Sequence, residues 1–337
     1  MNGRGDAKQT GNDIGKARKI TDELFARMDK HGFRAKIISV EHLQTLFDDI
    51  EGKLRDDLLD QEFYRARLSG FVAGLPDDLP GAKSAIVLAA PEPHTLWTFE
   101  WKGQSIPAII PPSYSTDINN RVKALLDELL LPASFHICRA RIPLKLTAVH
   151  SGLARYGKNN ITYVEGMGSY LRLMAFYTDL PCLEDSWGEL QVMEECDKCL
   201  ACTAKCPTGA IATGRFLIHA EHCLAYYNER EGQFPGNVAP AVHHCLFGCL
   251  MCQVYCPINR SVSPPDQMGA AFTAEETAVF LKGFAKDELA PDTLRKLDRF
   301  PEFLDCPEEI SRNLRALVEN PENARKMVRL ICGDRQK

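Results

Sequence analysis

The chain has no uninterrupted apolar run of about 18 residues, which excludes a helix that crosses a bilayer. It also lacks a charge surplus. Forty basic side chains stand against 45 acidic ones, with a pI near 6.0, so there is no broad electrostatic footprint for a phosphate backbone. No hydrophobic signal segment precedes Thr21 and no twin-arginine pair is present, and a reducing cytoplasm is the expected compartment. No internal repeat shows except between two cysteine motifs. What remains is ordinary for a folded protein: 337 residues, 45% hydrophobic and 25% charged, enough for two domains with substantial cores.

The 13 cysteines are not ordinary. Cys196, Cys199, Cys202 and Cys206 stand in a C-x2-C-x2-C-x3-C-P run closed by Pro207, the spacing of bacterial two-cluster ferredoxins. Three thiolates two residues apart wrap the backbone around one face of an iron-sulfur cube, and the fourth, ahead of a helix-stopping proline, turns toward a second cube. Its partner run lies downstream at Cys249, Cys252 and Cys256, followed by Pro257, with its first thiol displaced. Cys223 and Cys245 are both candidates for that thiol, and spacing does not choose between them. Zinc asks for four ligands in a closed tetrahedron, and seven or eight thiols at these spacings overfill it. Ligand softness and number therefore point to two [4Fe-4S] clusters.

Along the chain, residues 1–19 are polar and glycine-bearing and read as a mobile leader. Thr21 is placed to cap a helix with Leu24, Phe25 and Met28, ending at His31-Gly32; a strand follows at 35–40, then a helix carrying Leu43, Leu46, Phe47, Ile50 and Leu54. Residues 63–83 read as a turn-rich link, 84–90 as a buried strand, and 97–101 with 106–110 as a hairpin. A helix with Ile118, Val122, Leu125, Leu126 and Leu129 on one face comes next, then a strand near Phe135. The period over 270–331 is helical, punctuated by prolines. The expected class is α+β, with boundaries at 1–19 (leader), 20–190 (α/β domain), 191–265 (double-cluster domain) and 266–337 (helical tail).

Several stretches together resemble the epoxyqueuosine reductase and reductive dehalogenase superfamily, corrinoid enzymes fed by two [4Fe-4S] clusters. They are residues 80–91, Tyr114 ahead of its helix, Ser151 to Asn159, Thr178-Asp-Leu-Pro181, the cluster cysteines, Cys223-Leu-Ala-Tyr226 and the tail's 312–317. The resemblance implies an N-terminal cobalamin-binding α/β domain over a two-cluster ferredoxin-like module. By crossed ligation it implies Cys196, Cys199, Cys202 and Cys256 for one cluster and Cys206, Cys223, Cys249 and Cys252 for the other, leaving Cys245 spare. It implies that Gly157, Lys158, Asn159 and Tyr226 hold the cofactor, with the first cluster nearer the pocket and the second nearer the electron donor. One departure stands out. The family's donor aspartate has no counterpart in the stretch His136 to Lys145, which contains no carboxylate, so Tyr114 and Tyr156 become the candidate catalytic proton donors by analogy with the dehalogenases.

Three functions follow as expectations. The first is a corrinoid-dependent reductase acting on a small organic substrate, drawing electrons from a low-potential donor of ferredoxin or flavodoxin type. The second is an electron-transfer protein or reductive activator of another corrinoid protein. The third is a tRNA-directed epoxyqueuosine reductase with a substituted donor, which the acidic balance disfavours.

Overall fold

The computed structural model describes residues 3–71, 73–262 and 267–332; the extreme ends of the expected leader and tail, and the link at 263–266, lie outside the described residues. Its centre is a four-stranded sheet in the order β1-β2-β8-β5, antiparallel throughout: β1 (Arg34–Ser39), β2 (Ser84–Pro91), β5 (Ile137–Arg139) and β8 (Leu171–Thr178). Both faces of β2 are buried, and its residues alternate between two cores as a strand's period of two requires. Ala85, Val87 and Ala89 join Leu43, Leu46 and Ile50 of α2 (Leu43–Arg55) and Ala148 and Val149 of α5 (Leu144–His150). Ile86, Leu88 and Ala90 turn the other way, onto Leu24 and Met28 of α1 (Gly3–Lys30) and Val122 and Leu126 of α4 (Asp117–Leu130). The sheet is thus sandwiched between helices, and α3 (Gln61–Arg67) lies in the stretch expected to be only turns.

The leader expected at 1–19 is helical from Gly3 onward, as the first part of α1. Its glycines and polar residues drew that reading. Ala17, Ile20, Leu24 and Met28, however, recur at helical spacing and carry the apolar stripe of α1 backward past Thr21; Ala17 is fully buried.

A second sheet has the order β4-β3-β9: β3 (Thr95–Trp101), β4 (Gln104–Ile110) and β9 (Gln267–Phe272). The expected hairpin closes on Lys102 and Gly103, both at positive φ, the arrangement that matches the twist of two-residue hairpins. β9 was not expected, and it pairs in parallel with β3. Trp97 and Phe99 consequently pack with Phe272, Phe280, Phe300 and Phe303, so the hairpin belongs to the core of the C-terminal helices rather than to that of the first sheet. Those helices are α9 (Ala274–Lys282), α10 (Pro291–Leu297), α11 (Pro307–Glu319) and α12 (Pro321–Cys332). Between the two sheets run the short ladder of β6 (Arg155–Tyr156) with β7 (Thr162–Tyr163) and the cysteine segment, whose helices α6 (Ala201–Lys205), α7 (Leu224–Glu229) and α8 (Met251–Val254) are one to two turns long.

Candidate active site and cluster cavity

The cysteine motifs fold as two short helical turns, α6 and α8, each stopped where proline follows the last thiol. The Cys196 thiol is pushed up by burial and by Cys256 and Cys199, while the amide of Lys158 opposes the shift; Cys202 is raised by burial and then by Cys196 and Cys199. Cys196 thus neighbours the other three. Cys206, Cys223, Cys249 and Cys252 line one cavity of about 330 Å³, and burial raises Cys223 and Cys252, with Cys206 adding to both and Cys223 to Cys252. A cavity ringed by four thiols, each able to deprotonate onto iron, fits a cluster in ligand number and softness. Cys245 neighbours Cys249 but is fully buried among Leu96, Ile109, Tyr170 and Leu250, and it does not line that cavity.

The turn at Gly157-Lys158-Asn159 sits against the cluster loops. Lys158 Nζ donates to the carbonyl of Cys199 at 3.0 Å, and the Asn159 amide hydrogen-bonds Tyr163 Oη at 3.1 Å and lowers the neighbouring Cys252. A Cβ at residue 157 would stand 2.7 Å from both Asn159 Oδ1 and the Tyr163 ring, which is why the turn needs glycine. Tyr226 lines the four-thiol cavity and meets Phe63 edge-on at 5.2 Å.

A second cavity, about 430 Å³ and mostly apolar, lies between the sandwich and the cysteine segment. Its walls come from Ile50, Leu59 and Phe71 on one side, the stretch Ile142 to Leu146 on another, and Phe216, Leu217 and Ile218 across from them. Tyr156 stands in this wall, edge-on to Phe216 at 5.4 Å, and burial, with the Asp49 charge second, holds its phenol well above the usual range. The two cavities share Phe63, Lys145, Asn160, Ile218 and Ala220. The pocket therefore adjoins the Cys206, Cys223, Cys249 and Cys252 set, and none of Cys196, Cys199, Cys202 and Cys256 lines it. The expectation had the first set nearer the pocket; it is the second set whose cavity adjoins this one.

The structure does not bring Tyr114 and Tyr156 together. Tyr114 donates instead to Glu229, and burial, with the Glu229 charge second, raises its phenol. Burial likewise raises the Glu229 carboxyl, against the lowering effects of the Tyr114 hydrogen bond and of Arg67 and Lys145. Glu229 lines the four-thiol cavity and pairs with Arg67 at 3.5 Å. Sequence reasoning missed this carboxylate. The signal was its place on the helix that begins directly after Cys223.

Residues 195–259 match the 4Fe-4S double cluster binding domain. The chain is 30% identical over 198 residues to an epoxyqueuosine reductase of Pseudomonas aeruginosa, covering 57% of this chain and 51% of that one, and 35% identical over 114 residues to its Escherichia coli counterpart, covering 34% and 29%. It spans about half the length, or less, of these curated relatives. In fold it is similar to a selenomethionine-labelled epoxyqueuosine reductase (TM-score 0.63, 18% identity, 92% of this chain and 84% of that one). It is also similar to the Streptococcus thermophilus enzyme (TM-score 0.61, 18% identity, 94% and 86%). The chain thus has an α+β fold similar to that of the epoxyqueuosine reductases and carries a segment that matches the double cluster binding domain.

Proposed function

We propose that this protein is a reductase in which two [4Fe-4S] clusters pass single electrons inward to a substrate reduced in the apolar pocket, with a corrinoid as the resident group there. The wall shared between that pocket and the four-thiol cavity carries the reading, because electron delivery needs the two sites side by side. Cys196, Cys199, Cys202 and Cys256 would hold one cluster, and Cys206, Cys223, Cys249 and Cys252 the other. Lys158 and Asn159 act on those ligands, aiming an amide N–H at Cys196 and a carboxamide at Cys252, and hydrogen bonds to cluster sulfurs tune their potentials.

The pocket fits a corrinoid in kind: its walls are aliphatic and aromatic, and Lys53 and Lys145 stand among them to meet polar groups at a macrocycle's edge. Ile50, Leu59, Phe71, Ile142, Leu144 and Tyr156 would hold the ring. Bound there, the group supplies a low-valent metal centre. The protein's own share is dryness and a proton. Tyr156 offers its hydroxyl from the pocket wall, and Glu229, whose carboxyl burial raises and which accepts from Tyr114, stands as a second candidate source next to the shared wall. An electron donor of ferredoxin or flavodoxin type would dock over the first set, where Leu200 is 54% exposed.

Adding cob(II)alamin to anaerobic, cluster-loaded protein tests the reading. A bound corrinoid signal in absorption and electron paramagnetic resonance is expected; if none appears, the chain is an electron-transfer partner of another protein.

A second reading, reduction of epoxyqueuosine in tRNA, is favoured by the names of the relatives and by one similar structure (TM-score 0.63, 18% identity), described as bound to an epoxyqueuosine-modified tRNA stem loop. Turnover of modified tRNA by the loaded protein would establish it, and Glu229 then stands as the substitute for the missing aspartate.

A further inference from the structure

Between the two cysteine motifs, three metal-ligating side chains meet outside either cluster site. The donor atoms of His219, Glu221 and His222 all lie within 4.8 Å of one another. His219 Nδ1 is 3.2 Å from Glu221 Oε1, and the two imidazoles stack at 5.7 Å. A lone His–Glu hydrogen bond would account for two of these groups but not for the third.

The backbone that carries them is tied down. The His219 N–H donates to the carbonyl of Ala210 at 2.8 Å and the His222 N–H to that of His219 at 3.0 Å. Asn160 clamps the preceding residues, accepting from the Ile218 N–H at 2.7 Å and donating to the Phe216 carbonyl at 2.8 Å. The donors are therefore presented by a fixed turn, which reduces the ordering cost of binding.

We propose that His219, Glu221 and His222 form a zinc site at the rim of the apolar pocket. Two imidazoles and a carboxylate suit zinc, whereas all-oxygen sets suit magnesium or calcium and thiolate sets suit copper(I). Zinc bonds of about 2.0–2.1 Å place tetrahedral donors roughly 3.4 Å apart, so side-chain rotation by an ångström or so closes the site. Three protein ligands leave the fourth position to water or substrate, the open arrangement of catalytic zinc. Ile218 and Ala220, interleaved with the ligands, line the pocket. One group competes: Arg215 Nη1 lies 3.3 and 3.4 Å from the His219 ring nitrogens, with Nη2 donating to the Leu58 carbonyl at 2.7 Å. The cation and the guanidinium exclude each other.

The test uses anaerobic protein with both clusters loaded, titrated with Zn²⁺ against a chromophoric chelator, with iron counted after desalting. The wild type is expected to take up one zinc per chain with no loss of iron. His219→Ala and Glu221→Gln should weaken binding by at least about tenfold, and Arg215→Gln should tighten it several-fold. His222→Ala serves as a third variant, its iron count showing whether neighbouring Cys223 is disturbed. The site is refuted if no zinc binds, if His219→Ala and Glu221→Gln bind as the wild type does, or if zinc uptake tracks iron loss, since cluster thiols would then be the acceptors.

Discussion

At the scale of single residues, the fourth ligand of the second cluster is the sharpest question. Cys223 lines the four-thiol cavity and Cys245 sits in apolar packing beside it. Cys223→Ser should cost about half the iron of an eight-iron protein, and Cys245→Ser should leave it whole; iron and sulfide analysis after reconstitution reads the difference. Gly157→Ala should do damage out of proportion to one methyl group, because the Asn159 carboxamide it displaces is held near Cys252. We expect a loss of about 1–3 kcal/mol in unfolding experiments, with altered cluster spectra. His243 and His244 make a different kind of prediction. Burial is the leading cause that lowers both to about 4, while a free imidazole titrates near 6.5. The folded state therefore refuses protons that the unfolded chain accepts, and stability should fall as pH drops from about 6.5 to about 4. Denaturant midpoints should fall less steeply across that window in His243→Phe. The double-cluster domain was legible in the sequence because its cysteine spacing is a local pattern. Glu229 was not, because its meaning depends on Tyr114, which lies 115 residues away.

At the scale of elements, legibility followed burial pattern. The hairpin at 95–110 and the amphipathic α2 and α4 announced themselves by period, whereas β8 is apolar on both faces and such a run has no period to read. β9, reading Gln-Met-Gly-Ala-Ala-Phe, has little strand propensity of its own and is held by its pairing with β3. α9 is the opposite case. Its capping box, Thr273 with Glu276, is written in four residues, and Glu276 also receives Lys296 at 2.5 Å and Thr293 at 2.8 Å. Thr273→Ala should lower stability by about 1 kcal/mol in chemical unfolding. Glu276→Ala should cost more than the cap alone, since it also releases the contact with α10.

At the scale of the whole molecule, the order of the two cysteine sets predicts how electrons run. Only the second set shares a cavity with residues that line the apolar pocket. Cys196→Ser should therefore abolish reduction of the pocket's contents by a protein donor, while a small chemical reductant still reaches the second cluster. Donor-driven turnover that survives this change would show that the first cluster is structural. One pairing bears on how the protein comes to exist at all. Thr95 in β3 lies beside Gln267 in β9, about 170 residues away, with the entire cysteine segment between them. Joining the ends of a flexible loop that long costs about 4–5 kcal/mol in chain entropy. Metal capture within the loop would shorten it and lower that cost. A cell that runs short of iron would then accumulate chains with β3 unpaired along one edge, an edge prone to aggregation, so the supply of clusters would govern the amount of folded protein as well as its activity.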